Sequence, residues 1–275
     1  MPARLNREVI GPADAGRHLL MTHGFFGSGG NWRSIARKVH TARPDWGIVL
    51  VDLRQHGRSD AGEPPHTLAA CADDIRALVD EMPTIAALAG HSFGGKVVLA
   101  ARAHMPPTLQ QTWVFDASPS PRSPDEENPA NTVTRILSLL ERLPRRWAKR
   151  DDFIAAIVAD GHGLPLAQWL AMNLVPDGDA MSIRFDFVAL REMLLDYCRQ
   201  DLWSIALDPK LPGEVRLVIA ARSATVSDED RARLAAPDLP PHLKVHTIDA
   251  GHWLHIEAPA TVVDLLTAHL PTSLR

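Results

Sequence analysis

Apolar and polar positions along this chain follow two rhythms. Short runs in which nearly every position is apolar, bounded by glycine, proline or polar residues, read as buried strands. They are Arg17–Thr22, Gly47–Val51, Thr84–Ala89, Gln111–Phe115, Val215–Ala220 and His242–Ile248. Between them, apolar residues recur every three or four positions, the spacing of one helix face. Thr67–Glu81 is the clearest case: Leu68, Cys71, Ile75, Leu78 and Val79 share a face, with Asp73, Asp74 and Arg76 outside it. Further helices are expected over Trp32–His40, over Lys96–Ala103, after Ser227 (with Asp230 at capping-box spacing) and at the C-terminus to about Leu270. Strands alternating with helices predict an α/β fold: a mostly parallel sheet with helices on both faces, and reactive groups at the carboxyl ends of strands.

The rhythm breaks after Asp116. Ala117–Pro129 is a proline-rich polar link, and from about Thr132 to about Ile205 the pattern is helical only, broken at Pro144, Gly161-His162-Gly163 and Pro176-Asp177-Gly178. Pro212-Gly213 returns the chain to the sheet. The expected organisation is a core of residues 1–120 and 207–275 with a helical cap insertion, 121–206, over the reactive groups. Most apolar cap residues are expected to pack the cap itself. Trp169 and Leu170, with Phe26 and Trp253 from the core, are candidates for a substrate pocket.

Candidate chemistry gathers at strand ends. Gly90-His91-Ser92-Phe93-Gly94 lies between a strand and a helix, where a tight turn holds a serine hydroxyl clear of the sheet. Serine is a poor nucleophile near neutral pH and needs a base. Of 13 histidines, His252 stands out, following Gly251 just beyond the last strand. Asp116, at the end of a strand beside the serine's strand, can orient that base. Asp228 fits the first turn of a helix better, and Asp249 is too close in sequence to His252 to reach its outer nitrogen. His23, His56, His91, Lys96 and His255 take structural readings. Asp52, Arg54 and Arg58 look like acid/base or metal chemistry, but read better as charged residues tying a polar loop together.

Bulk properties narrow the partners. The chain has 275 residues and a net charge of −4, with no basic block, which argues against nucleic acid and anionic membrane. Cys71 and Cys198 match neither metal spacing nor a redox pair. There is no signal-peptide pattern and no apolar run near the ~20 residues that span a bilayer, so a cytoplasmic protein without a membrane anchor is expected. Nothing in the sequence fixes the oligomeric state.

Four stretches together resemble the α/β-hydrolase fold family: His23-Gly24-Phe25-Phe26-Gly27-Ser28, Asp52-Leu53-Arg54-Gln55-His56-Gly57-Arg58-Ser59, Gly90–Lys96 and Gly251–Pro259. More narrowly they resemble its small-esterase branch, which contains bacterial short-acyl esterases and a mitochondrial lipase-like relative. Asn173-Leu174 in the cap resembles that branch as well. The resemblance implies an α/β-hydrolase fold with an eight-stranded sheet and a helical cap, no metal and no cofactor, and hydrolysis of carboxylic esters or thioesters. It implies the triad order Ser92, Asp116, His252 and an oxyanion hole from the Phe25 and Phe93 amides. One departure is Ala224, where most of the family carries the acid; Asp116 is the position some members use instead. Ser223 resembles a serine that the branch places near the catalytic histidine. The expected activity is a serine hydrolase acting on small esters or thioesters of short to medium acyl chains through an acyl-enzyme. Carbon–carbon bond hydrolysis or cofactor-free perhydrolysis on the same triad, and a ligand-binding protein without turnover, are the alternatives.

Overall fold

The computed structural model describes residues 1–125 and 131–272. It divides into two compact units, Met1–Pro124 with Glu192–Arg275, and Asp125–Arg191. In chain order the first unit contributes β1 (Arg7–Ile10), β2 (His18–Thr22), α1 (Arg33–Ala42), β3 (Gly47–Val51), α2 (Leu68–Glu81), β4 (Ile85–His91), α3 (Phe93–Ala101) and β5 (Gln111–Phe115). The second holds α4 (Thr132–Arg142), β6 (Arg146–Trp147), α5 (Arg150–Ala159), α6 (Leu164–Leu170), β7 (Leu174–Asp177) and β8 (Ala180–Ile183). Helix α7 (Phe187–Arg199) leads back to the first unit, which closes with α8 (Trp203–Leu207), β9 (Glu214–Ala220), α9 (Asp228–Leu234), β10 (Leu243–Ile248), α10 (Leu254–Glu257) and α11 (Pro259–His269).

The main sheet has the order β1-β3-β2-β4-β5-β9-β10, parallel throughout except for β1 against β3. Every residue of β2, β3, β4 and β5 is buried. A sheet covered on both faces accepts apolar residues at every strand position, which explains the unbroken apolar runs. Helix α1 packs on α11, and α2 on α3. Trp32, Ile48, Trp113, Phe115, Val218 and Leu266 belong to the core.

Two expectations need correction. The sheet has seven strands among the described residues, not eight. The chain ahead of β1 spends its backbone groups elsewhere: the Ala3 amide donates to Asp74 (2.6 Å), the Asn6 amide to Ser59 Oγ (2.8 Å), and the Arg4 carbonyl accepts from the Asp60 amide (3.1 Å). The insertion is also not purely helical, for β6, β8 and β7 form a small antiparallel sheet. Pro176-Asp177-Gly178 was expected only to break a helix. In the fold Asp177 pairs with Ala180 across a two-residue turn whose Gly178 has φ +64°. Left-handed backbone at such a turn favours glycine and matches the twist of the flanking strands. Residues 126–129 of the proline-rich link lie outside the described residues.

Buried charges brace the first unit. Arg54 turns away from Asp52 and pairs with Asp74 on α2 at 2.6 Å, both side chains buried. Asp52 instead accepts from the Gly29 and Arg58 amides and from Asn6 Nδ2. Lys96 is buried within α3, and its Nζ donates to the carbonyls of Ser120 (2.8 Å), Tyr197 (3.0 Å) and Gln200 (2.9 Å). An ammonium has three N–H groups, and all are used. Burial pushes this lysine down to about 8. The gripped segments also pair with each other, Arg122 amide to Cys198 carbonyl and Leu202 amide to Pro119 carbonyl, both at 2.8 Å.

Candidate active site

Strand β4 passes directly through Ser92 into α3. Ser92 has φ +54° and ψ −117°, a conformation that L residues rarely adopt and that costs roughly 1–3 kcal/mol. The neighbouring glycines are steric requirements. A Cβ on Gly90 would lie 2.1 Å from the Gly94 carbonyl oxygen, and one on Gly94 would lie 2.4 Å from the His23 carbonyl oxygen. The Ser92 amide is tied to the Phe115 carbonyl at 2.9 Å.

The turn after β10 brings His252 to this serine. His252 Nε2 stands 3.1 Å from Ser92 Oγ, and His252 Nδ1 stands 2.7 Å from Asp116 Oδ2. A carboxylate can only accept, so Nδ1 carries the proton and Nε2 is free to accept from the Ser92 hydroxyl. Asp116 follows β5 with φ +47° and no exposed side-chain surface. Its other oxygen accepts from the Ala220 amide at 3.0 Å. Asp228 lies in the first turn of α9, and Asp249 pairs with Arg222 with its side chain 86% exposed. Neither bonds His252 among the described residues.

Thr225 was missed in the sequence. Its Oγ1 lies 3.0 Å from His252 Nδ1, so the Nδ1–H is shared between a carboxylate and a hydroxyl. Ser223 accepts the Thr225 amide on its Oγ at 3.1 Å and so helps shape the turn that carries Thr225 to His252. The signal available was a hydroxyl residue immediately after Ala224.

The Gly24-Phe25 turn passes close to the serine, since a Cβ on Gly24 would sit 3.3 Å from Ser92 Cβ. Among the described residues, neither the Phe25 nor the Phe93 amide donates to a protein acceptor. The Phe25 and Phe93 rings lie 4.4 Å apart, and the Tyr197 ring, contributed by α7, packs 5.8 Å from Phe93. Phe26 is buried with φ +60°, and the Trp253 ring is 5.8 Å from His252. Trp169 and Leu170 lie on α6 in the second unit, half-buried and buried respectively. His23 shapes its loop, accepting the Leu53 amide on Nε2 (3.0 Å) and donating from Nδ1 to the Gly24 carbonyl (2.7 Å).

Several histidines around the site are held neutral. Burial lowers His56 to about 3 and His255 to about 4, with repulsion from His23 and His252 respectively adding to it. Both folded values lie below the ordinary 6.5, so the unfolded chain takes up protons that the folded chain refuses. Their contribution is therefore present above pH 6.5 and is lost progressively as pH falls towards 4 and then 3. Each buried histidine adds a slope of roughly 1.4 kcal/mol per pH unit in that window. Urea unfolding between pH 7 and 4.5 should show uptake of at least two protons; a midpoint independent of pH would contradict this.

The family model described as alpha/beta hydrolase family matches residues 19–265. The chain belongs to the alpha/beta hydrolase family. Among curated relatives in this family, sn-1-specific diacylglycerol lipase ABHD11 of Mus musculus is 26% identical over 261 residues, covering 92% of this chain and 80% of that protein. Esterase YbfF of Escherichia coli (strain K12) is 27% identical over 261 residues, covering 92% of each chain. The solved structure of a marine microorganism esterase superposes with a TM-score of 0.83 at 22% identity, covering 98% of this chain and all of that one. The family match and the esterase and lipase relatives together support a carboxylic ester hydrolase. Among the described residues of this hydrolase, no helix is long and apolar enough to cross a membrane.

Proposed function

We propose that the protein is a serine hydrolase that cleaves small carboxylic esters or thioesters of short to medium, uncharged acyl chains through an acyl-enzyme. The observation that carries the reading is the continuous relay from Asp116 through His252 to Ser92, at 2.7 and 3.1 Å. Ser92 Oγ attacks the acyl carbon while His252 Nε2 takes its proton. Asp116 holds the imidazole in the required tautomer and stabilises the imidazolium. The amides of Phe25 and Phe93 receive the oxyanion, each worth roughly 3 kcal/mol in the transition state. His252 then protonates the departing alcohol or thiol, and water, activated by the same histidine, releases the acid. Phe26 and Trp253 contribute an apolar surface for the acyl chain, and Trp169 and Leu170 of the insertion are the candidates for setting its length.

A panel of p-nitrophenyl esters and acyl thioesters of increasing chain length tests the reading. Turnover should be highest on short to medium chains. Trp169→Ala should shift that preference while changing acetyl ester hydrolysis by less than about threefold. Equal losses at every length would make Trp169 a folding residue. No turnover on any member, with no labelling by a fluorophosphonate, would favour a ligand-binding protein instead.

A further inference from the structure

His91 is the last residue of β4, directly before Ser92, and only 2% of its surface is exposed. Its Nε2 lies 2.8 Å from the main-chain carbonyl oxygen of His252. A carbonyl can only accept, so His91 is the tautomer with its proton on Nε2, and it donates. Among the described residues no other donor reaches that carbonyl. The His91 ring stands 4.7 Å from the rings of both His252 and His255, and a Cβ on Gly24 would sit 3.3 Å from His91 Nδ1. One imidazole thus adjoins the nucleophile in sequence, the base through a hydrogen bond and the Gly24-Phe25 turn by contact.

We propose that His91 is a positioning residue, whose Nε2–H holds the His252 carbonyl and so sets the base between Ser92 and Asp116. The proposal rests on His252 being the base. An apolar residue would fill the same space, but it would leave the carbonyl without a donor at the point where the base's loop needs a fixed anchor. An anchor of this kind must not compete for the proton that His252 carries in the reaction. The ionisable groups that face His91 are His252 on the loop after β10, His255 on α10 and His23 on the loop after β2; Asp116 lies behind His252. Burial first, then repulsion from His252 and His255, holds His91 well below its ordinary value. It therefore stays neutral while His252 cycles.

The experiment pairs His91→Leu with His91→Gln. Gln can present an N–H near the position of Nε2, and Leu cannot. In His91→Leu, the freed loop lets His252 drift from Asp116, and a displacement near 1 Å costs roughly a hundredfold in kcat. KM should change by less than about twofold, because the lost contact is not to substrate. The acid limb of kcat should move down by about half a pH unit, since the imidazolium loses part of its carboxylate support. Gln should restore most of kcat and return the limb. A general packing defect would lower the folded fraction without moving the limb. A folded His91→Leu enzyme with wild-type kcat and limb, or a Gln variant as impaired as Leu, would overturn the proposal. Should both variants fail to fold, long-range 15N–1H NMR of the wild-type rings decides. The proposal requires His91 to be neutral with its proton on Nε2 at the pH of the activity assay, and a proton on Nδ1 would overturn it. That measurement needs no activity, so its failure strikes the His91 contact alone, whereas an active His252→Gln enzyme would strike the base assignment.

Discussion

Asp116→Asn is expected to lower kcat by about 10⁴ while the protein remains folded, the loss seen when an orienting aspartate is replaced in a known triad. Asn is isosteric, and its side-chain oxygen can still accept the Ala220 amide that Asp116 Oδ1 holds at 3.0 Å. Its NH₂ then faces His252 Nδ1. That nitrogen becomes the acceptor and the proton moves to Nε2, so the Ser92 hydroxyl meets a donor instead of a base. Asp228→Asn and Asp249→Asn should retain most activity, because neither carboxylate bonds His252. Thr225→Val removes only the weaker partner at 3.0 Å and should cost about tenfold, within the worth of a single hydrogen bond to a charging group. Steady-state kinetics alongside circular dichroism checks all four. Near-normal turnover in Asp116→Asn would remove Asp116 as the acid.

Ser92→Ala is expected to lose about 10⁶ in kcat, the scale at which a serine-hydrolase nucleophile is worth as much as its whole triad. Fluorophosphonate labelling should vanish with it. Residual catalysis from oxyanion binding, about 10³–10⁴ over water, is what other triad deletions leave behind. The variant should melt within a few degrees of the parent, because Ala at φ +54° carries much the same backbone strain as Ser. Labelling that persists in Ser92→Ala would assign the nucleophile to another residue.

The core strands could be read in the sequence because each interior strand is covered on both faces, so burial writes itself into a run such as Gly47–Val51. Edge strand β1, Arg-Glu-Val-Ile, is half polar and exposed at one end; it carries no such run and was not seen. Ser92 and its glycines were visible because a steric requirement acts over four residues, here a clash of 2.1 Å that any side chain at Gly90 would make. Ser92, Asp116 and His252 could be nominated from their places at strand ends, and the family pattern added their order. Contacts across long sequence distances left little trace. Tyr197 beside Phe93 and Thr225 beside His252 depend on how distant segments meet in three dimensions. In the insertion, Pro176-Asp177-Gly178 carried a real turn signal that was assigned to the wrong kind of turn, since a glycine that stops a helix and one that reverses a hairpin look alike in one dimension.

Lys96 was legible as structural, but its partners were not, because it donates only to main-chain atoms and meets the Tyr197 ring, 4.8 Å from Nζ, across 101 residues of sequence. Its three acceptors are main-chain oxygens of Ser120, Tyr197 and Gln200. Every amino acid supplies that atom, so the hydrogen-bonded grip itself asks for no particular side chain, while Ser120 and Tyr197 are kept for other contacts: Ser120 Oγ accepts from Trp203 Nε1 at 2.7 Å, and the Tyr197 ring packs on Phe93. A graft of different length and composition between Ser120 and Tyr197 should therefore keep this grip, provided its two ends present carbonyls to the same ammonium. A lineage can thus rebuild this stretch without renegotiating the helix that begins after Ser92.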